Sequence, residues 1–389
     1  MSGKILVVDD EPDLQLLIRQ KFRNQMRSGE FDFLFAEDGV QALQILADNP
    51  AIDLVLTDIN MPNMDGLTLL GKIKELDTNK RILIVSAYGD MENIRIAMNR
   101  GAHDFVTKPI NFSDLETTIR KSLADLQILK KALESHDQLI ALQRELEVAT
   151  RIQMSFLPST FPQRNDLAIY AKMIPAKEVG GDFYDFFFID EYRLGLVIGD
   201  VAGKGIPAAI FMAMTRALIK ATALRGGPGS NCIQTVNRIL YLESMPNMFV
   251  TVFFGVFDTQ TGDFEYCNAG HHPPLIIRKD GKVEALEYVG GMALGITEKI
   301  EYQSKSICLQ PGETIFFFTD GLTEAMDSKD NEFSETKLQS TLAECHAAGL
   351  KDLLNATIAK IQDHQGSAPQ NDDMTAMVMR YLSDQTRKN

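Results

Sequence analysis

The sequence predicts two α/β domains joined by a long helix: a doubly wound domain with a five-stranded sheet, and a domain of two packed β-sheets flanked by helices. Three observations predict this organisation. Short apolar segments alternate with amphipathic ones over residues 4–123, residues 113–157 are helix formers with almost no Gly or Pro, and β-branched and aromatic segments dominate after Pro158. A chain of 389 residues exceeds one ordinary core, so at least two domains are expected.

The N-terminal domain is predicted to span residues 1–122. Its strands are near-continuous apolar runs, and helix-length segments with one apolar face lie between them. This pattern is typical of a parallel sheet covered by helices on both faces. The five predicted strands cover residues 5–8, 31–36, 54–57, 81–86 and 104–107.

Residues 123–157 are predicted to form a helical linker. Apolar residues recur at spacings of three and four in two stripes, whose register shifts near His136. We interpret the stripes as a homodimeric coiled coil, since heptads bury one face against another helix. The alternatives are a helix packed on its own C-terminal domain and a break into two helices near His136. The stripes contain Leu115, Ile119, Ser122, Leu126, Leu129 and Leu133, then Leu139, Leu142, Leu146, Ala149, Gln153 and Phe156.

The C-terminal domain is predicted to span residues 158–389. Many short strands at hairpin spacing, with helices grouped in pairs, favour two packed sheets flanked by helices. The predicted strands cover residues 167–173, 184–189, 193–198, 250–257, 264–268, 275–278, 300–308 and 315–319. The predicted helices cover residues 207–224, 233–243, 335–346 and 350–362.

Composition and charge exclude several classes of function. The net charge of −14 and the lack of a long Lys/Arg stripe disfavour nucleic-acid binding. The longest apolar runs are far shorter than the roughly 20 residues of a membrane-spanning helix, and the N-terminus lacks a signal-peptide pattern. We therefore expect a cytoplasmic protein that binds neither nucleic acid nor membrane. The four cysteines show no paired ligand spacing, so neither a disulfide framework nor a zinc site is expected.

Acidic residues follow the strands of the first domain at one edge of the predicted sheet. Asp9 and Asp10 come directly after the first strand, and Asp58 comes directly after the third. Three carboxylates at this edge predict a Mg²⁺ ion among them, and Asp58 could then act as a nucleophile toward a phosphoryl group. Ser86 and Lys108 end the fourth and fifth strands, where a hydroxyl and an ammonium could hold the transferred phosphate.

The motifs VVDDEPD, LTDINMPNMDG, VSAYG and FVTKP, in this order, resemble those of the receiver domain of two-component response regulators. The resemblance implies phosphorylation of Asp58 by a sensor histidine kinase. It also implies Mg²⁺ held by Asp10, Asp58 and the backbone carbonyl of Asn60, with Asp9 behind them, and an aromatic switch at Phe105. The alternatives are an inert cluster of ion pairs and, for Phe105, plain packing.

Five further aspartates occur in Gly-rich or turn segments beside the apolar strands of the second domain: Asp182, Asp200, Asp320, Asp372 and Asp373. Several carboxylates together with backbone carbonyls suit a site for two Mg²⁺ or Mn²⁺ ions, which can activate water for attack on phosphorus. The sequence contains neither a GxSxG elbow nor a P-loop lysine motif. A metal-assisted hydrolysis is therefore predicted.

Residues 146–381 resemble the metal-dependent PPM phosphatases of the bacterial SpoIIE and RsbU kind, and ELEVATRIQMSFLP resembles the regulatory linker that precedes them. The resemblance implies that Asp200 bridges two ions, that Asp320 and Asp372 complete one site, and that Asp182 supports the other. Glu178 and Glu324 would lie around these ligands. The implied metal-binding set is Asp182, Asp200, Val201 through its carbonyl, Asp320, Asp372 and, less directly, Asp373.

Three further side chains carry weaker predictions. Lys204 in AGKG could contact a substrate phosphate, or could be a solvated loop lysine. His271 and His272 lie in CNAGHHPP, where a hydrogen-bonded histidine in a tight turn is a better interpretation than a catalytic one.

Together these features predict a response regulator in which phosphorylation of Asp58 controls a Mg²⁺- or Mn²⁺-dependent protein serine/threonine phosphatase. The resemblance implies that its substrate is a phosphorylated anti-sigma-factor antagonist in a partner-switching pathway. One alternative is a non-catalytic adaptor that binds a sigma factor or its regulator. The other is a DNA-binding response regulator, which would need a basic recognition helix that this sequence lacks.

Overall fold

The computed structural model describes residues 3–87, 90–243 and 248–382. The last two residues of the VSAYG motif lie outside the described residues. The chain divides into two compact units, Met1–Ala141 and Leu142–Asn389. The division falls inside the long helix, so residues of the predicted linker belong to both units.

The N-terminal unit contains the predicted doubly wound domain. Its five parallel strands lie in the order β2-β1-β3-β4-β5. Ile5 and Val7 face one hydrophobic core, and Leu6 and Val8 face the other, so helices cover both faces of the sheet. The strands are β1 (Gly3–Val8), β2 (Phe31–Ala36), β3 (Leu54–Asp58), β4 (Arg81–Ala87) and β5 (Asp104–Lys108), and the helices are α1 (Pro12–Lys21), α2 (Arg23–Arg27), α3 (Gly39–Asp48), α4 (Gly66–Leu76) and α5 (Met91–Asn99).

The long helix α6 (Phe112–Phe156) is continuous through His136, so it does not break there. Its first turns belong to the N-terminal unit, where Leu115 and Ile119 are fully buried beneath the sheet. Its middle is different, because Leu139 and Leu142 are 58% and 53% exposed. The predicted stripes therefore include residues that pack within the first unit and residues that remain free to contact another helix.

The C-terminal unit contains the predicted two-sheet domain, and both sheets are antiparallel with five strands. One sheet has the order β13-β10-β9-β8-β7, and the other has the order β12-β11-β14-β15-β6. The strands are β6 (Leu167–Ile174), β7 (Phe183–Phe188), β8 (Arg193–Val201), β9 (Val250–Asp258), β10 (Asp263–Ala269), β11 (Leu275–Ile277), β12 (Val283–Ala285), β13 (Ser304–Cys308), β14 (Thr314–Phe318) and β15 (Met374–Tyr381).

Two helices cover the outer face of each sheet. The first pair packs on β7 to β10 and the second on the sheet that contains β6 and β15. The helices are α7 (Ile206–Ala223), α8 (Gly229–Glu243), α9 (Glu335–Glu344) and α10 (Leu350–Gln365). By length and composition alone, α7 could cross a membrane. Its residues Phe211, Met212 and Ile219 are buried in the core of this unit, which accounts for the apolar character of the helix.

Two strands of this unit, β12 and β15, were not predicted from the sequence. Strand β12 is short and lies at a sheet edge, whereas β15 lies between β14 and β6. The segment MTAMVMRY is rich in methionine and contains few β-branched residues, so its composition indicates a strand only weakly. The omission matters because Asp372 and Asp373 directly precede β15.

Candidate active site and phosphoacceptor site

The three predicted acids of the N-terminal unit lie together at the carboxyl end of the sheet. Strands β1 and β3 are parallel neighbours, so Asp9 and Asp10 after β1 come close to Asp58 at the end of β3. One carboxylate oxygen from each residue lies within 4.8 Å of the other two. This set of hard oxygen donors fits a Mg²⁺ ion, as predicted.

Lys108 at the end of β5 is in contact with this cluster. Its Nζ lies 2.7 Å from Oδ2 of Asp58, 3.2 Å from Oδ2 of Asp9 and 3.3 Å from Oε1 of Glu11. Burial alone would lower the pKa of Lys108, but the hydrogen bonds and charges of Asp58 and Asp9 raise it overall. Burial also raises the pKa of Asp9, despite the neighbouring ammonium. The cluster therefore contains its own cation.

The remaining predicted receiver residues surround this cluster. Ser86 is buried on β4, beside β3, and its hydroxyl donates to Asp90 over 3.4 Å. The backbone N–H of Asn60 approaches Oδ1 of Asp58 at 3.4 Å. Phe105 on β5 is 36% exposed, so its ring is not part of the core. The roles of Ser86, Asn60 and Phe105 in phosphate binding, metal binding and switching stay predictions.

In the C-terminal unit, the strand registers bring the predicted acids to one end of the two sheets. Phe183 pairs with Gly199, which places Asp182 beside Asp200, and Phe318 pairs with Ala376, which places Asp320 near the start of β15. A contact between the sheets joins the two pairs, because the hydroxyl of Thr319 donates to Oδ2 of Asp182 over 2.7 Å. No pattern in the sequence indicated this role for Thr319.

Asp182 is buried, Asp200 and Asp320 are half-buried, and the three carboxyls repel one another. Burial and the charge of Asp320 raise the pKa of Asp200 to about 7, and a hydrogen bond with Asp182 only partly offsets this. Burial and the charge of Asp200 raise the pKa of Asp182 well above its ordinary value, and burial and Asp372 raise that of Asp320. In the described part of the chain, no Lys or Arg forms an ion pair with Asp182, Asp200 or Asp320. Such unbalanced oxygen donors fit hard divalent cations.

The backbone approaches closely around these acids. A Cβ atom at Gly181 would lie 2.9 Å from the carbonyl oxygen of Val201, the predicted backbone ligand, and one at Gly180 would lie 2.3 Å from Oδ2 of Asp373. Asp373 accepts hydrogen bonds from the N–H groups of Ala176 (2.8 Å) and Gly181 (2.7 Å). It therefore holds the loop that precedes β7, and its contribution as a metal ligand stays a prediction.

Two residues of α6 hold the same loop. The amide of Gln153 is 4% exposed and makes two hydrogen bonds with Gly180: its Nε2 donates to the carbonyl over 2.6 Å, and its Oε1 accepts from the N–H over 3.0 Å. The hydroxyl of Thr150, one turn earlier, donates to the carbonyl of Glu178. Gln153 was predicted only as a member of an apolar stripe. Its hydrogen bonds to Gly180 could not be predicted because the two residues are distant in sequence.

The histidine prediction is consistent with the geometry. His271 is buried, and burial lowers its pKa to about 3, so the imidazole is neutral. Its Nε2 lies 3.1 Å from the carbonyl oxygen of Phe318, which can only accept, and its Nδ1 therefore accepts from the hydroxyl of Thr251 at 2.9 Å. His272 is exposed, and its ring stacks on that of Phe318. His271 thus links β9 to β14 near Asp320.

Lys204 lies against a predicted metal ligand. Its Nζ is 2.9 Å from Oδ2 of Asp372 and also donates to the carbonyl of Asn371. The loop lysine is thus paired with a carboxylate, although both side chains remain partly exposed.

A receiver-type phosphoacceptor cluster and a two-sheet domain with converging buried aspartates define a response regulator with a metal-dependent phosphatase domain. Comparisons with known proteins agree with this class. The family model of the response regulator receiver domain matches residues 5–120, and that of stage II sporulation protein E (SpoIIE) matches residues 190–382. The chain is 31% identical over 258 residues to phosphoserine phosphatase RsbU of Bacillus subtilis, covering 64% of this chain and 75% of RsbU.

Two further relatives share part of the chain. Protein IcfG of Synechocystis sp. is 32% identical over 262 residues, which cover 60% of this chain and 41% of IcfG. The crystal structure of the RsbU and RsbW domains of Rv1364c from Mycobacterium tuberculosis superposes with a TM-score of 0.51 at 29% identity, over 57% of this chain and 61% of that chain. The chain belongs to the family of response regulators whose receiver domain precedes a SpoIIE-type PPM phosphatase domain, a protein serine/threonine phosphatase.

Proposed function

We propose that this protein hydrolyses phosphoserine or phosphothreonine in a partner protein and that phosphorylation of Asp58 controls the reaction. Asp200, Asp320 and Asp372, with the carbonyl of Val201 and support from Asp182, would hold two Mg²⁺ or Mn²⁺ ions. When bound, such ions activate water and neutralise charge on the phosphoryl oxygens. The protein residues supply the ligands and keep the acids at one end of the two sheets.

The observation that carries this proposal is the convergence of buried and half-buried carboxyls at Asp182, Asp200 and Asp320, none of which forms an ion pair with a Lys or Arg of the described residues. An uncompensated buried charge costs several kcal/mol, roughly 3 to 5 when a partner is missing. A protein that retains three such groups gains from a ligand that neutralises them. Divalent cations are that ligand, and hydrolysis of a phosphate ester is the chemistry that they support.

The proposed control acts through α6. The first turns of this helix pack in the receiver core, and near its end Gln153 forms hydrogen bonds with Gly180. Asp182 follows that loop directly. A change in the position or pairing of α6 would therefore change where Gly180 and Asp182 lie relative to Asp200.

We also propose the partners. A sensor histidine kinase would phosphorylate Asp58, with Mg²⁺ bound beside it, and the substrate would be a phosphorylated anti-sigma-factor antagonist in a partner-switching pathway of the cytoplasm. The similarity to phosphoserine phosphatase RsbU supports the substrate class. Neither nucleic acid nor membrane is a proposed partner.

The exposed middle of α6 supports a homodimer. Leu133, Leu139 and Leu142 are 45%, 58% and 53% exposed, which is costly for leucines on an isolated helix. Sedimentation equilibrium would test this. The wild type should sediment as a dimer and Leu139→Asp/Leu142→Asp as a monomer, while the exposed pair Glu145→Ala/Glu147→Ala should stay dimeric. A monomeric wild type would contradict the dimer.

The test of catalysis is phosphate release from phosphoserine, phosphothreonine and phosphotyrosine proteins by the full chain, with Mn²⁺ or with a chelator. We expect release from the first two only, and loss of release on chelation. Capture of a phosphorylated antagonist without any phosphate release would instead establish the non-catalytic adaptor.

A further inference from the structure

The loop between β8 and α7 presents Lys204 to a predicted metal ligand. Gly203 and Gly205 on either side of the lysine have φ values of +99° and +81°, which L side chains rarely adopt, so the turn depends on glycine at both positions. The turn directs the ammonium to Oδ2 of Asp372 at 2.9 Å and to the carbonyl of Asn371. Two contacts to adjacent residues define one position for the ammonium.

This position conflicts with the predicted use of Asp372. A divalent cation bound at this oxygen would lie close to the ammonium, and because the two cations repel each other, the ion and Lys204 compete for Asp372. The side chains of Lys204 and Asp372 are 39% and 41% exposed, so the ion pair can open at small cost. The lysine is therefore a displaceable cation.

We propose that Lys204 is a built-in competitor of the metal: its ammonium occupies Asp372 in the metal-free protein and must leave when a divalent cation binds there. The inference rests on the proposed metal site, and it adds a positioning residue that sets the affinity of that site. Competition of this kind keeps the start of β15 ordered without metal and raises the metal concentration at which the site fills.

The size of the effect follows from the exposure of the pair. A partly exposed ion pair contributes little by itself, but removal of the lysine also removes its repulsion of the incoming ion. We expect a neutral residue at this position to tighten Mn²⁺ binding roughly three- to tenfold.

The experiment is calorimetric titration of the full chain with Mn²⁺, so that its readout is binding and not hydrolysis. Asp10→Asn is used as the parent, because it removes a ligand of the receiver site and leaves the phosphatase site to be measured alone. Lys204→Gln should bind Mn²⁺ roughly three- to tenfold more tightly than this parent. Lys204→Arg keeps the charge and should bind as the parent does. Lys282→Gln, which removes an exposed lysine paired with Glu284, should also bind as the parent does.

A second comparison ties the effect to Asp372. In a parent that also carries Asp372→Asn, Lys204→Gln should no longer tighten binding, because the lysine has lost its carboxylate. The proposal is wrong if Lys204→Gln does not tighten Mn²⁺ binding in the Asp10→Asn parent. It is also wrong if Lys204→Gln tightens Mn²⁺ binding equally in both parents. If the Asp10→Asn parent binds no Mn²⁺, both the proposed metal site and the competition by Lys204 are wrong.

Discussion

In the N-terminal unit, the carboxylates of Asp9 and Asp58 share the ammonium of Lys108, which lies 3.2 Å and 2.7 Å from them. In the C-terminal unit, Asp182 is equally buried and Asp200 is half-buried, yet no Lys or Arg of the described ranges forms an ion pair with either. Both clusters are built from aspartates at strand ends. They differ in whether a side chain or an external ion balances the charge.

The difference indicates what each cluster does. A receiver must exist in metal-free, metal-bound and phosphorylated states, and an internal lysine stabilises the carboxylates in all of them. In the proposed phosphatase site, divalent ions would supply the balancing charge instead, so Asp182 and Asp200 need no internal ammonium. Lys204 lies at the edge of the second cluster, where it forms an ion pair with the more exposed Asp372 and not with Asp182 or Asp200.

The largest effect is expected on catalysis. Asp200→Asn removes the carboxylate that would bridge both ions, and loss of several kcal/mol of charge stabilisation corresponds to a fall of about a thousandfold in kcat/KM. Phosphate release from a phosphoserine protein in Mn²⁺ measures this. Asp190→Asn, an exposed aspartate between β7 and β8, is the matched control and should keep full activity. Activity above a tenth of wild type in Asp200→Asn would remove Asp200 from the site.

The second prediction concerns pH and the metal-free state. The pKa of Asp200 is raised to about 7 from 3.8, so the folded protein retains a proton that the unfolded chain has lost. The resulting stability is complete below pH 4 and is lost as pH rises through 7, on the order of 2 to 4 kcal/mol. Thermal unfolding of the C-terminal unit in a chelator should therefore shift to lower temperature between pH 5 and pH 8. Saturating Mn²⁺ or Asp200→Asn should flatten this dependence, and an unchanged slope in Asp200→Asn would assign it to other groups.

The third prediction concerns removal of Lys108, which would leave the receiver cluster without a basic side chain, as in the phosphatase cluster. Lys108→Gln leaves Asp9 and Asp58 without their cation and should destabilise the N-terminal unit by about 1 to 3 kcal/mol, with recovery in Mg²⁺. Hydrogen exchange of β1 and β3 reports on this unit alone. Lys130→Gln opens the exposed pair with Asp53 and should change exchange little. A Lys108→Gln protein that is equally stable with and without Mg²⁺ would mean that Lys108 does not act as the internal cation.

The smallest effect is expected at the end of α6. Gln153→Ala removes two hydrogen bonds to Gly180, worth about 1 kcal/mol each, and should change the Mn²⁺ concentration for half-maximal activity roughly tenfold. Ser155→Ala on the same helix removes only a local bond to Ile152 and should have no such effect. If both variants behave like wild type, the Gly180 loop is not held by the helix.

Much of this architecture could be predicted from sequence, because it depends on local patterns. The apolar runs before Asp10, Asp58 and Asp200 mark strands, and acids at strand ends mark the sites. What escaped prediction depends on residues distant in sequence. The partners of Gln153 and Asp373 are backbone groups of the loop before β7, which no local pattern identifies. Strand β15 was missed because its place between two strands, and not its composition, stabilises it.

Receiver control requires that the state of the first cluster changes the activity of the second. The most direct measurement is phosphoserine hydrolysis against Mn²⁺ concentration, with and without beryllofluoride as a phosphoryl mimic at Asp58. We predict that beryllofluoride shifts the curve of the wild type and leaves that of Asp58→Asn unchanged. Superimposable wild-type curves with and without the mimic would contradict receiver control of the phosphatase.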